Sequence, residues 1–346
     1  MTTVLKDSTA TEQRPPGSEY AELKRLIKQK GLMNKQPLYY TLKITLTLSM
    51  LGLSIALVAL IDTLWLQLLN AVFMGFIFTQ MGFMGHDAGH RQIFFSTRKN
   101  DIVGLTVNFL LGISRSWWVI QHNEHHNNPN DLDLDPHIAI PVMVFSEDQA
   151  RTRKGIMGFI IRYQAFYFFP MLLGEGVGMR IAGMQYMLTR KIRFPIAEPV
   201  LMASHFLLYF GMLFYFLSAW HAFMFFMVHQ MVFGLYMGSI FAPNHKGMLT
   251  VTKDSGLDFL RRQILTARNM RAHPVTDFMY GGLNYQIEHH LFPTIPRNRL
   301  KEAQKIVRTF CKEHSISYHE VGAFRSQWEI LSALHKFSAP LRKKTA

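Results

Sequence analysis

Cysteine is almost missing: Cys311 stands alone among 346 residues. One thiol excludes disulfides, a cysteine-ligated iron–sulfur cluster and a CxxC redox pair. Lysine and arginine are missing from two long windows, Ile44 to His90 and Phe194 to His245. Within the first window only Asp62 and Asp87 are acidic. Windows so poor in charge suit lipid rather than water. The zinc-protease pattern HExxH is also absent, because Asp87 and Asn123 follow the leading histidines His86 and His122. Met1 to Gly17 carries no apolar core before a small-residue cleavage site, so it does not read as a signal peptide.

What remains is 49% hydrophobic and 13% aromatic, yet mean hydropathy is only +0.07, so polar and apolar parts must be segregated. The length alone suggests two domains, but a membrane protein spends it on one bundle. A formal charge of +14 favours anionic neighbours: nucleic acid, an anionic leaflet, phosphate-bearing substrates or an acidic redox protein. Nucleic acid does not account for the charge-free windows, so no nucleic-acid partner is expected.

Each window is long enough for two spans of about 20 residues. The expected spans are 42–61 and 64–84, turning near Ile61-Asp62-Thr63, then 199–218 and 222–242, turning at Ser218 to His221. Ile102 to Ile120 is apolar but interrupted by Arg115, Trp117 and Trp118, which suits an interfacial or re-entrant helix. Residues 156–178 are similarly ambiguous, with Arg162 and Glu175 inside. Glu22 to Lys30 reads as a short basic helix, either lying on a membrane or solvated. Leu300, Ala303, Ile306, Val307 and Phe310 form a helical apolar stripe. The expected fold is an all-α integral membrane protein. Four transmembrane helices form two hairpins, with interfacial helices and a cytoplasmic helical cap. Domain organisation is expected as a disordered or amphipathic N-terminus (1–38), one membrane domain (39–325) and a basic tail (326–346).

Three histidine-rich stretches carry the chemistry: His86-Asp87-Ala88-Gly89-His90, His122-Asn123-Glu124-His125-His126 and Gln286-Ile287-Glu288-His289-His290. On a helix, positions three or four apart share a face. Each stretch therefore aims imidazoles, or an amide, to one side. Imidazole suits zinc, copper, iron and nickel. The seven histidines His86, His90, His122, His125, His126, His289 and His290 exceed what one tetrahedral zinc takes, so two metals are the economical reading. Nearby Asp87, Glu124, Asp131, Asp133, Asp135 and Glu288 could orient ring N–H groups. Two hairpins return the chain to its starting side, so both termini and all three boxes fall on one face. The basic clusters at Lys24, Arg25 and Lys28, at Arg151 to Lys154, at Arg190 to Arg193 and at Arg261 and Arg262 lie on that same face. Both turns on the other face lack lysine and arginine, which makes the histidine face cytoplasmic. His205 and His229 fall inside spans. His229 either lines a substrate channel or is a neutral, hydrogen-bonded packing residue. His137, His221, His273, His314, His319 and His335 read as surface or interface residues.

The boxes resemble those of the membrane fatty acid desaturase family. The glutamine that opens the third box, in Leu283 to Pro293, is similar to the front-end branch, which includes delta-5 and delta-6 acyl desaturases and sphingolipid desaturases. The resemblance runs over roughly residues 40–325 and includes the Pro-Arg-Asn-Arg-Leu run after box three. It implies a non-haem di-iron centre, O2 as co-substrate, and insertion of a double bond into an acyl-CoA or acyl-lipid, delta-6 or linoleoyl type included. It also implies that His245, in the Asn244-His245 pair, is an eighth histidine ligand. Gln286 becomes a ligand or water-holder, and Asp87 a supporting group. The haem motif His-Pro-Gly-Gly of a fused cytochrome b5 is not found in the sequence. A separate donor, ferredoxin or cytochrome b5 with its reductase, is therefore expected, along with a bacterial inner membrane. The rival readings are a di-iron hydroxylase of lipid, sterol or carotenoid carbon and, more distantly, a metal transporter or sensor, whose ligands belong near the bilayer midplane.

Overall fold

The computed structural model describes residues 18–342. The expectation of disorder at the N-terminus falls largely on residues 1–17, outside the described residues. Among the described residues, four helices are long and apolar enough to cross a membrane: α2 (Pro37–Leu60), α3 (Leu64–Gly89), α10 (Ala197–Phe216) and α11 (Ala219–His245). They follow α1 (Ser18–Gln29) and enclose α4 (Thr97–Leu111), α5 (Arg115–Asn127), α6 (Glu147–Thr152), α7 (Gly155–Ile161), α8 (Gln164–Leu172) and α9 (Glu175–Thr189). Beyond α11 come α12 (Phe259–Leu265), α13 (Pro274–Met279), α14 (Gln286–Leu291), α15 (Leu300–Glu313) and α16 (Ala323–Phe337). A two-residue parallel pair, β1 (Asn269–Met270) and β2 (Glu320–Val321), ties this last part together.

Burial separates inner from outer spans. Two thirds of the most apolar stretch of α3 is buried (67%), against 17% for α2 and 22% for α10. The bundle is therefore built on α3 and α11, which pack along each other more extensively than any other pair. Gly75 permits this: a Cβ there would lie 2.8 Å from Val232. Small residues substitute for a hydrophobic driving force where lipid is as apolar as the side chains. Contacts advance in the same direction on both helices, Gly75 on Val232 and Gly82 on Met237, so α3 and α11 run parallel.

The turn from α2 to α3 is locked by Gln67, whose amide donates to the Leu57, Val58 and Ile61 carbonyls, and by Ser54 donating to Asn70. Buried side-chain amides thus satisfy backbone groups that no water would reach. The turn into α11 is capped by Ser218, whose hydroxyl accepts from the His221 N–H. Both long inner helices run past the ends expected for their spans, 84 and 242. Those extra turns carry His86 and Asn244-His245.

The interrupted stretch after α3 is a bent pair. α4 ends at Gly112 with φ 66°, and α5 starts after Ser114 at an angle of 111° to it. The left-handed residue is glycine because a Cβ there would also strike His205. This bend brings the second histidine box back toward the end of α3.

The apolar side of α1 packs against the protein itself, and its basic side is exposed. Its Leu23 and Ile27 are fully buried against α12 and α15, in the core that surrounds box three. The basic C-terminal segment carries α16, whose Ile330 and Leu334 are buried against α8 and α11.

Candidate metal centre

Helix ends deliver the imidazoles. His86 comes from the last turn of α3 and His90 from its C-cap; His122, His125 and His126 come from α5, and His245 closes α11. Gln286, His289 and His290 sit on α14, a single buried helix of six residues. Tyr285 has non-helical backbone before it, and the Asn269 side chain accepts from the Ile287 N–H, holding the first turn. Sequence segments as far apart as residues 86 and 290 are thereby brought into one cluster.

Two adjoining groups form. In the first, His86, His90, His122 and His289 offer nitrogens within 4.8 Å of one another. The Nε2 atoms of His86 and His289 are 3.1 Å apart, and those of His90 and His122 are 2.8 Å apart. His126 joins this group, with its Nε2 3.1 Å from those of both His122 and His289. In the second, His125, His245 and His290 converge, with the Nε2 atoms of His245 and His290 3.0 Å apart. The His126 and His290 rings stack between the groups at 4.1 Å.

The outward nitrogens explain why this convergence is unusual. His245 Nδ1 faces the Thr266 carbonyl at 3.0 Å, and a carbonyl only accepts, so the proton sits on Nδ1. His290 Nδ1 faces Gln263 Oε1 at 2.9 Å, while the amide nitrogen of Gln263 donates to the His126 carbonyl. His86 Nδ1 donates to Asp87, and His125 Nδ1 to Asp135. Four rings are thus fixed in one tautomer with a bare lone pair turned inward. Burial, and the neighbouring imidazoles after it, hold His90, His289 and His290 well below the ordinary histidine range, so these rings are neutral. The His245 and His290 lone pairs, 3.0 Å apart with no proton between them, repel unless a cation sits among them. The donor set therefore fits one or two imidazole-bound metal ions, with outer hydrogen bonds fixing each ring.

Not every expected residue takes part. Asp87 does: it also accepts from buried Arg297, which lies in the run after box three. Asp135 holds His125 and accepts from the Asn130 and His137 backbones. Asp131 is buried but pairs with Arg262, and Glu288 accepts from Asn269 and Tyr318 instead of facing a ring. Glu124 and Asp133 are exposed, so neither orients a ring. Gln286 stands 3.0 Å from His245 Nε2, its amide turned by the 2.9 Å bond that its oxygen accepts from Asn244.

His137, expected as a surface or interface residue, is half-buried: it stacks on His125 at 4.3 Å and forms a third potential metal group with His125 and Asp135. It sits on a short turn outside any HxxHH spacing, so no periodicity could reveal it. Its only local sign was proximity to Asp135-Pro136. His205 and His229 stay away from the centre: His229 accepts from Tyr209 and Gln230, which matches the packing alternative.

Residues 63–322 match the family model described as fatty acid desaturase. The chain is 30% identical to the acyl-lipid (9-3)-desaturase of Physcomitrium patens, over 91% of this chain and 62% of that protein. It is 31% identical to the delta(6)-fatty-acid desaturase fat-3 of Caenorhabditis elegans, over 90% and 73%. It is also 31% identical to the delta(5) fatty acid desaturase fat-4 of the same organism, over 94% and 76%. The chain thus spans less than two thirds of the moss relative. All three relatives are eukaryotic and lend nothing to the expected bacterial placement.

Proposed function

This chain belongs to the fatty acid desaturase family, and from that premise we propose that it inserts a carbon–carbon double bond into a fatty acyl chain. It is a membrane protein of the oxidoreductase class. Two vicinal hydrogens leave the chain with two electrons, two more electrons arrive from outside, and O2 with two further protons becomes two waters. The substrate is an acyl-lipid or acyl-CoA of the delta-6 or linoleoyl type. The relatives' printed names, which include acyl-lipid and delta(6), support that class.

The observation that carries the reading is the meeting of bare Nε2 atoms from His245 and His290 beside the ring of His86, His90, His122, His126 and His289. We assign these seven histidines and His125, eight in all, as holders of two iron ions. Bound there, iron supplies the reduction of O2 and an oxidant strong enough for an unactivated C–H. The protein's own residues set its conditions. Asp87 and Arg297 fix the His86 ring, Asp135 fixes His125, and the Thr266 carbonyl and Gln263 fix His245 and His290. Neutral imidazoles would hold the metal ions without compensating their charge. Gln286 holds a water or ligates. A paired flip of its amide with that of Asn244 keeps their mutual bond and turns Oε1 inward.

The basic loops favour a cytoplasmic orientation for the histidine face, and the charge of +14 favours an acidic electron-transfer protein as donor. Gas chromatography–mass spectrometry of a host fed linoleic acid tests the reading, with His125→Ala as control. A new double bond that depends on the intact protein is expected. A new hydroxyl would instead assign a hydroxylase.

A further inference from the structure

A second polar constellation lies inside the bundle, away from every histidine box. Arg180 of α9 is only 6% exposed. One of its terminal nitrogens, Nη1, donates to the Gly176 carbonyl and to Gln230 Oε1, each at 2.6 Å. Gln230 passes the polarity on, its amide nitrogen 3.2 Å from His229 Nδ1, which also takes the Tyr209 hydroxyl at 2.6 Å. Gln230 stands about 17 Å from the start of α11 and about 22 Å from His245, at 1.5 Å rise per residue. The guanidinium is therefore near the middle of the span, far from either end.

A charge at that depth is costly without a partner of opposite sign. None is at hand among the described residues. α11 contains no acid, Glu198 of α10 is spent on Ser114 and Ser116, and the neighbours of Arg180 are amides, carbonyls and the Phe233 ring. What Arg180 does border is a narrow cavity of about 120 Å³, shared with His205 and Tyr209 and walled by Phe206, Phe210 and Phe226. Val177 and Ile181, both exposed on the flank of α9, form its rim. The opening thus faces the side from which lipid would approach.

We propose that Arg180 is the anchor of a binding site for a carboxylate-bearing amphiphile, a free fatty acid entering sideways from the bilayer. The carboxylate supplies the missing negative charge to Arg180, and the aromatic walls take the first methylenes. The cavity is too narrow for a phosphodiester head with its glycerol, which favours the carboxylate. Along α11 the site lies about 22 Å from His245, and it holds whether or not the chain is a desaturase.

The test is binding of radiolabelled oleate to the purified full-length protein in nanodiscs, with oleyl alcohol and dioleoyl phosphatidate as competitors. Wild type binds oleate saturably, and neither competitor displaces it at equal concentration. Arg180→Gln weakens binding by about tenfold or more, the scale of one charged hydrogen bond, and Arg180→Lys restores most of it. Phe206→Trp, which fills the cavity without touching the charge, also blocks binding, so a misfolded Arg180 variant does not leave the question open. His290→Ala retains oleate binding at this site. Equal displacement by oleyl alcohol, preference for phosphatidate, or unchanged affinity in both Arg180→Gln and Phe206→Trp would overturn the proposal.

Discussion

Two sets of buried histidines occupy the same pair of helices, and they have opposite logic. At the ends of α3 and α11, His86 and His245 turn a proton outward to Asp87 and the Thr266 carbonyl, leaving inward nitrogens that crowd those of His289 and His290. Within α11, His229 Nδ1 accepts from Tyr209 and Gln230, so that nitrogen is already satisfied by donors. Imidazole nitrogens that meet other imidazole nitrogens at about 3 Å favour a cation between them; a lone imidazole held by a hydroxyl and an amide does not. What distinguishes a ligand from a packing residue is therefore the partner of the other ring nitrogen.

The largest effect expected from this contrast is on the metal side. His290→Ala should remove turnover altogether and lower bound metal, read by product analysis and by elemental analysis of purified protein. His229→Leu should leave bound metal unchanged. Next in size is the support around a ring. Asp87→Asn or Arg297→Gln should weaken metal retention by about 10–100-fold, measured against a graded chelator series, because His86 loses its fixed orientation. Smaller again is the cost of breaking the satisfied chain. His229→Leu leaves the Tyr209 hydroxyl and the Gln230 amide without their acceptor, at about 1–3 kcal/mol of stability, visible as a lower Tm.

The smallest effect concerns Glu288, between box-three residues yet bonded to Asn269 and Tyr318 instead of to an imidazole. Burial pushes its carboxyl up to about 7 from 4.5, against the opposing bonds from Asn269 and Tyr318. A carboxyl with a raised folded value stabilises the fold fully below the unfolded value and loses that contribution as pH rises. The Tm of the wild type should therefore decline as pH rises from about 4.5 through 7. Glu288→Gln should flatten that decline, and a slope identical in both proteins would contradict the buried-carboxyl account.

Much of this architecture was legible before any coordinates. The four spans follow from charge-free windows, and the three boxes from histidines repeating at helical spacing, both of which are local signals. The supporting partners are of another kind. Arg297 reaches Asp87 across some 210 positions of chain, and Thr266, Gln263 and Asn244 approach box three from separate loops. Nothing in their own neighbourhoods marks them. His137 was missed for the same reason, since it meets His125 through a turn and not a helix face. The burial of Leu23 and Ile27 was likewise hidden, because a short amphipathic helix reads alike on a membrane, in solvent or against α15.

Iron held by the converging lone pairs of two imidazole groups is what separates the two sets of histidines. That separation is tested most directly by metal analysis of protein purified without chelators or a metal-affinity tag, beside His290→Ala and His229→Leu. The account predicts about two iron ions per chain, lost in part or whole in His290→Ala and kept in His229→Leu. Protein that is folded yet carries zinc or no metal, or iron equally retained in His290→Ala, would contradict it.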